Sequence, residues 1–169
     1  MDKSSIKQVA ILILIIVSIY AFFTYGLKII FNTDVPIAVV ESGSMKPTLN
    51  IGDIIIAKGV NPKELKVGDI IIFQLRNSNV LIVHRIVNII NKGDSVIIYT
   101  KGDNNPVQDP WFVTGDEVKG LVIFRIPFLG YISLIFQKNP SIILSFYHFD
   151  FNNTFHTANK EKIVHFIYK

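Results

Sequence analysis

Between Lys7 and Lys28 the chain runs for twenty residues without a charged side chain. No other feature constrains the fold as much. At about 1.5 Å per residue, a helix of that length spans roughly 30 Å, the hydrocarbon thickness of a bilayer. Residues 9–23 hold one polar side chain of note, Ser18, and Tyr20 and Tyr25 stand toward the far end, where interfacial aromatics belong. A cleaved leader is the alternative. It needs a shorter apolar run followed by small residues at the cleavage point. Here the run is long and Phe22-Phe23-Thr24-Tyr25 is bulky. The expectation is a retained anchor over residues 1–31, with a spanning helix inside residues 6–27. Lys3, Lys7 and the amino terminus put the N-terminus in the cytoplasm, with Lys28 opposing, so that residues from 32 onward lie outside.

Beyond the anchor the grammar changes. Short runs rich in Ile and Val are broken by Gly, Asp, Asn and Pro, and no stretch keeps a helical period. Strands are expected at 37–40, 54–58, 70–75, 80–90, 95–101 and 117–124. Gly52-Asp53-Ile54-Ile55-Ile56 recurs as Gly68-Asp69-Ile70-Ile71-Ile72. Shared turn chemistry, with Gly-Asp turning the chain into a buried strand, accounts for this better than a repeat architecture. The class is all-β: a small coiled or barrel-like sheet over residues 32–125, carried on an N-terminal transmembrane helix.

Charge and composition exclude several functions. Residues 32–125 carry ten acidic and ten basic side chains, so the folded part lacks the basic balance of a nucleic-acid binder. The excess of positive charge sits at the two ends. The chain has no cysteine, which excludes disulfides, thiolate metal sites and cysteine nucleophiles. Residues 126–151 are apolar but broken by Gln137-Lys138-Asn139-Pro140, too short on either side to span; they read as a membrane-associated, surface-lying or partly inserted segment. Residues 152–169 form a polar tail with no assignable role.

Three places carry chemistry. Ser42-Gly43-Ser44-Met45-Lys46-Pro47-Thr48 follows the first strand directly. A serine on a Gly- and Pro-framed turn past a strand suits a nucleophile, and it also suits an ordinary loop. His84, in Val83-His84-Arg85, shares a strand face with Val80, Ile82 and Ile86. It suits a base, or a core-edge histidine satisfied by backbone. It is also the sole histidine before residue 148. The third place runs from Thr100 through Lys101-Gly102-Asp103-Asn104-Asn105 to Asp109-Pro110. Asp103 there suits an Asx-turn, and Asp109 before proline is also turn-like. Taken in order, serine, histidine and aspartate are the parts of an activated hydroxyl nucleophile. No metal-ligand spacing is visible and no cofactor is expected.

At these residues the sequence resembles the type I signal peptidases of the endoplasmic-reticulum and archaeal type, the serine–histidine subtype of the S26 peptidases. Ser42-Gly43-Ser44-Met45-x-Pro47-Thr48 resembles the nucleophile box and Val83-His84-Arg85 the general-base box, where the bacterial branch has lysine. Residues 101–109 resemble the acidic box with its two aspartates, and residues 120–130 the closing box. The resemblance covers roughly residues 5–135. It implies a membrane-bound serine endopeptidase that removes signal peptides from exported preproteins, cutting after small residues through an acyl-enzyme. Ser44 would be the nucleophile and His84 the base. Asp109 would orient His84, with Asp103 holding the loop through local backbone donors. The Ser44 N–H and the Ser42 hydroxyl would form the oxyanion hole. Ile37, Ala38, Val39 and Val40, with one facing strand, would bind substrate by edge addition.

The partners so implied are preprotein signal peptides and membrane lipid, with room for accessory subunits or translocation machinery and no nucleic acid. The location implied is a cell membrane, single-pass, with the domain on the extracytoplasmic face, or the endoplasmic-reticulum membrane in a eukaryote. Two other readings stay open. One is a membrane-tethered β-domain that binds exported chains without cutting them. The other is a serine peptidase with a lysine base, such as a self-cleaving repressor, which the anchor and Val83-His84-Arg85 disfavour.

Overall fold

The computed structural model describes residues 2–93 and 95–139. The remainder of the expected apolar segment, from residue 140 to 151, and the tail over 152–169 lie outside the described residues.

The expected anchor segment forms one helical rod of 29 residues from Lys3 to Phe31, and an 18-residue stretch of it reaches a mean hydropathy of 2.4. Helix α1 (Lys3–Ala21) passes through a π-helical turn (Phe22–Gly26) into α2 (Leu27–Phe31). At the helical rise this rod is about 43 Å long, enough to cross a bilayer and continue past it. It outruns the charge-free interval at both ends because Lys3 and Lys28 are ordinary helix formers, tolerated where the rod leaves the apolar region. It stops at Asn32, which takes the left-handed conformation (φ 49°, ψ 41°) that commonly closes a helix. None of its residues is buried against the rest of the chain. By length and composition the rod could cross a membrane.

The remainder is a curled seven-stranded antiparallel sheet in the order β1-β2-β7-β3-β4-β5-β6. Its strands are β1 (Ile37–Val39), β2 (Ile54–Lys58), β3 (Ile70–Phe73), β4 (Ile82–Lys92), β5 (Ser95–Lys101), β6 (Val113–Thr114) and β7 (Val118–Ile126). Six strands fall where the sequence puts them, within two residues at most ends. The two-residue β6 is too short for any periodic signal. A short helix, α3 (Tyr131–Lys138), follows β7 inside the apolar run after residue 126.

The two Gly-Asp sequences turn the chain in the same way. Gly52 and Gly68 have φ of 83° and 100°, a region that favours glycine. Asp53 Oδ2 accepts from the Asn50 N–H at 2.8 Å, and Asp69 Oδ2 from the Lys66 N–H at 2.9 Å. In each case the next residue opens a buried strand. Side chains alternate across the sheet, and β3 is buried on both faces. Ile71 and Phe73 join Ile86, Val96, Ile98 and Val113 on one side. Ile72 joins Ile55, Ala57, Val40, Met45 and Leu49 on the other. The second cluster reaches the loop that carries Ser44.

Candidate active site

The β1–β2 connection is clamped at its base, where Val40 N–H donates to Asp53 O and Gly52 N–H to Val40 O, both at 2.9 Å. Within it Met45 and Leu49 are 1% and 2% exposed and sink into the core. Burying side chains of that size contributes about 1.5–3 kcal/mol each, and it fixes the residue beside them, Ser44. Arg125 on β7 donates to the Thr48 carbonyl at 2.6 Å, tying down the far side of the loop. The 102–105 turn holds the near side: Asn104 N–H donates to the Ser44 carbonyl at 2.8 Å. A Cβ at Gly102 would stand 2.7 Å from that same carbonyl oxygen. Only glycine lets the acidic loop approach so closely.

His84 pairs with Ile71 across the β3–β4 ladder and is 7% exposed. Phe73 meets its ring edge-on at 6.4 Å. Its Nε2 lies 3.2 Å from Ser44 Oγ, and its Nδ1 lies 2.6 Å from Asp109 Oδ2. Ser42 Oγ stands 3.2 Å from Ser44 Oγ. Asp109 is 7% exposed, and its N–H donates to the Thr100 carbonyl at 3.0 Å. The fold thus brings Ser44, His84 and Asp109 into one line, with Ser42 beside the serine. The alternative of a histidine satisfied by backbone does not describe His84: both its ring nitrogens face side chains.

Asp103 departs from the expectation. It does not spend its carboxylate on local backbone donors. It takes a two-pronged bond from Arg85, Nε to Oδ1 at 2.8 Å and Nη2 to Oδ2 at 2.7 Å. The Arg85 guanidinium holds this carboxyl below the usual aspartate range, and Asp103 in turn raises the arginine. An arginine fork matches a carboxylate better than single peptide N–H groups can. Arg85 also donates to the Gly68 carbonyl at 2.7 Å and reaches Thr48 Oγ1 at 3.4 Å. The residue after the histidine therefore cross-links the serine loop, the histidine strand and the acidic loop.

A cleft of about 430 Å³ opens at Ser44. Val39 to Ser42 and Met45 line one wall; Val80 to Val83 line the other, with His84 at its end. β1 is an edge strand, and β4 pairs with β5 only from Arg85 onward. Both walls thus offer unpaired strand edge. Of the expected edge residues, Val39 and Val40 line the cleft, while Ile37 and Ala38 lie farther along the same strand. A larger cavity, about 640 Å³, lies at the other edge beside β5 and β6 and touches none of Ser42, Ser44, His84, Asp103 or Asp109. Among the described residues no group of three His, Asp or Glu side chains is placed to hold a metal ion.

Sequence reasoning missed the roles of Arg85, Met45 and Thr100. Thr100 had a signal. Val96, Ile98 and Thr100 alternate inward on β5, and a threonine in a buried register needs a polar partner.

Comparison with known proteins identifies the family. The family described as signal peptidase, peptidase S26, matches residues 5–105. The signal peptidase complex catalytic subunit SEC11 of Colletotrichum graminicola is 33% identical over 123 residues, covering 68% of this chain and 72% of that protein. Its counterpart in Verticillium alfalfae is 32% identical over the same share of each chain. With more than half of the chain matched by the family and relatives above 30% identity, the chain belongs to the signal peptidase family of S26 peptidases.

Proposed function

We propose that this chain is a membrane-bound serine endopeptidase that removes N-terminal signal peptides from exported preproteins. The observation that carries this is the line Asp109–His84–Ser44, at 2.6 and 3.2 Å, opening on a cleft between two unpaired strand edges.

The chemistry follows from the atoms. A carboxylate only accepts, so His84 carries its proton on Nδ1 and presents the Nε2 lone pair to Ser44. An extended preprotein segment adds to the edges of β1 and β4 by main-chain bonds, with alternate side chains entering the cleft. Val39, Val40, Met45 and Val80 to Val83 line the cleft with apolar side chains, and the family resemblance assigns it small residues before the cut. Ser44 Oγ attacks the scissile carbonyl as Nε2 takes its proton. The oxyanion is met by the Ser42 hydroxyl and by the Ser44 N–H, which has no partner among the described residues. The imidazolium, stabilised by Asp109, then protonates the leaving amine. Water attacks the acyl-serine with His84 again as base, and Ser44 is regenerated.

The anchor over 1–31 confines the domain over 32–125 to the membrane surface, on the extracytoplasmic side, where signal peptides emerge. This raises their effective concentration. The SEC11 relatives are named as subunits of a complex, which supports accessory subunits here too. Purified protein in detergent should cut a preprotein once, at the signal-peptide junction, and Ser44→Ala should not. A wild-type protein that binds the preprotein and leaves it intact would identify a tethered binding domain.

A further inference from the structure

We propose that Thr100 is a positioning residue of the site: its hydroxyl orients the Asp109 carboxylate, and through it keeps His84 in the tautomer that serves Ser44. The inference rests on the serine–histidine–aspartate reading above.

Thr100 Oγ1 lies 2.7 Å from Asp109 Oδ2, the same oxygen that His84 Nδ1 approaches at 2.6 Å. Thr100 is fully buried, so its hydroxyl has no water to turn to. A carboxylate cannot donate, which makes the hydroxyl the donor. Two donors on one oxygen fix more than either alone. A carboxylate on a single bond can rotate about its χ2, a broad torsion. Held from two directions, Oδ2 keeps one lone pair aimed at Nδ1.

The backbone enforces the arrangement. Thr100 stands opposite Ile86 in the β4–β5 ladder. Ile86 shares a strand face with His84, so Thr100 projects beside the imidazole. The Asp109 N–H returns to the Thr100 carbonyl at 3.0 Å. Residues 100 and 109 are therefore joined twice, once by backbone and once by side chain, and the loop between them carries Gly102 and Asp103 to Ser44 and Arg85. The backbone bond would survive loss of the hydroxyl. This separates the positioning role from a merely structural one.

The test compares Thr100→Val, which keeps the shape, with Thr100→Ser, which keeps the hydroxyl, using a preprotein substrate in detergent. Hydrogen bonds to charged groups are among the stronger ones, so Thr100→Val should lower kcat by about 10- to 100-fold with KM little changed. Thr100→Ser should recover most of that loss. In an Asp109→Ala background Thr100→Val should cost almost nothing further, because its only route to the chemistry is gone. Nitrogen-15 resonances of histidine-labelled protein give a second readout: one Nδ1–H tautomer for His84 in the wild type, a mixture in Thr100→Val. Thermal melts show which variants fold, and Thr100→Ala replaces the valine variant if valine does not fit. A folded, hydroxyl-free variant with wild-type kcat and an unchanged tautomer overturns the proposal. So does an equal loss in the Asp109→Ala background. Activity persisting in Ser44→Ala would instead overturn the serine reading itself.

Discussion

Asparagine in place of Asp109 keeps the side-chain volume and removes the charge. The carboxylate sits with 5% of its surface exposed, in contact with His84 Nδ1 at 2.6 Å. When Ser44 gives up its proton the imidazole becomes a cation, and its charge centre lies about 4 Å from that of the carboxylate. At an effective dielectric near 20 the pair attracts by about 4 kcal/mol. Losing that much transition-state stabilisation slows turnover about 10³-fold. If the amide turns its NH2 toward Nδ1, the imidazole must instead carry its proton on Nε2 and cannot accept from Ser44, the wrong-tautomer case that costs about 10⁴. Asp109→Asn should therefore lower turnover by about 10² to 10⁴ while the protein stays folded. Asp103→Asn is the control. Its ion pair with Arg85 is partly open to solvent, with 32% of the arginine side chain exposed. Such a pair contributes about 1 kcal/mol or less, and Arg85 keeps its bond to the Gly68 carbonyl. A melting point lower by a few degrees and a several-fold loss of turnover are expected. Preprotein cleavage in detergent and thermal melts by circular dichroism decide between them. A folded, inactive Asp103→Asn beside an active Asp109→Asn would refute the reasoning.

Ser44→Ala and His84→Ala should each lower single-turnover cleavage by about 10⁴ or more, and the double variant should be little worse, since the two act as one unit; multiplying losses would deny the pair. The Asp103 carboxyl is lowered in the folded state by Arg85, so its contribution to stability is present above the unfolded aspartate value of about 3.9 and is lost as pH falls through the lower folded value. The stability gap between wild type and Asp103→Asn, measured by urea melts, should close on acidification through that window; a gap that widened there would contradict the pairing. Protease added to sealed vesicles of known orientation should reach residues 32–125 only from the extracytoplasmic face, and cleavage from the cytoplasmic side would reverse the orientation. Gly59→Ala would set a Cβ 1.9 Å from the Asn32 carbonyl oxygen; displacing backbone there should cost about 1–3 kcal/mol, read as a lower melting point, and an unchanged melt would show that the helix end is not held against β2.

Much of this architecture is legible in the sequence itself, and the reasons are local. Residues 54–58 and 95–101 carry runs of β-branched residues between Gly, Asp and Asn, so strand and boundary are both encoded in the segment itself. The repeated Gly-Asp turns were readable because the carboxylate that makes them bonds a backbone N–H only three residues away. The partner of Asp103 is not legible in the sequence, for the converse reason. Its partner, Arg85, is 18 residues distant, and only the β4–β5 pairing, Arg85 opposite Lys101, sets the two within reach. The same limit hid the burial of Met45, which depends on how far the sheet curls over the serine loop. Ser44, His84 and Asp109 could be named singly, but their separations of 40 and 25 residues leave the distances between them to the fold.

The anchor and the cleft are mechanically close. The helix ends at Phe31, whose carbonyl accepts from the Gly59 N–H at 2.7 Å at the end of β2. Two residues later Thr33 donates its hydroxyl to the Lys119 carbonyl on β7 and accepts from the Val35 N–H at 3.1 Å. The rod is thus pinned to two neighbouring strands before β1 begins at Ile37. Six residue steps separate Phe31 from Ile37, at most about 20 Å of extended chain. Ile37 opens the edge strand whose far end, Val39 and Val40, walls the cleft. A domain tied this tightly has little freedom to swing away from the end of its helix. Under the proposed topology the strand edge that receives substrate starts close to the membrane surface. Under that proposal, a chain whose apolar segment lies in the bilayer would present to Ser44 the extended residues just beyond that segment, and the anchor would help to set which peptide bond is reached.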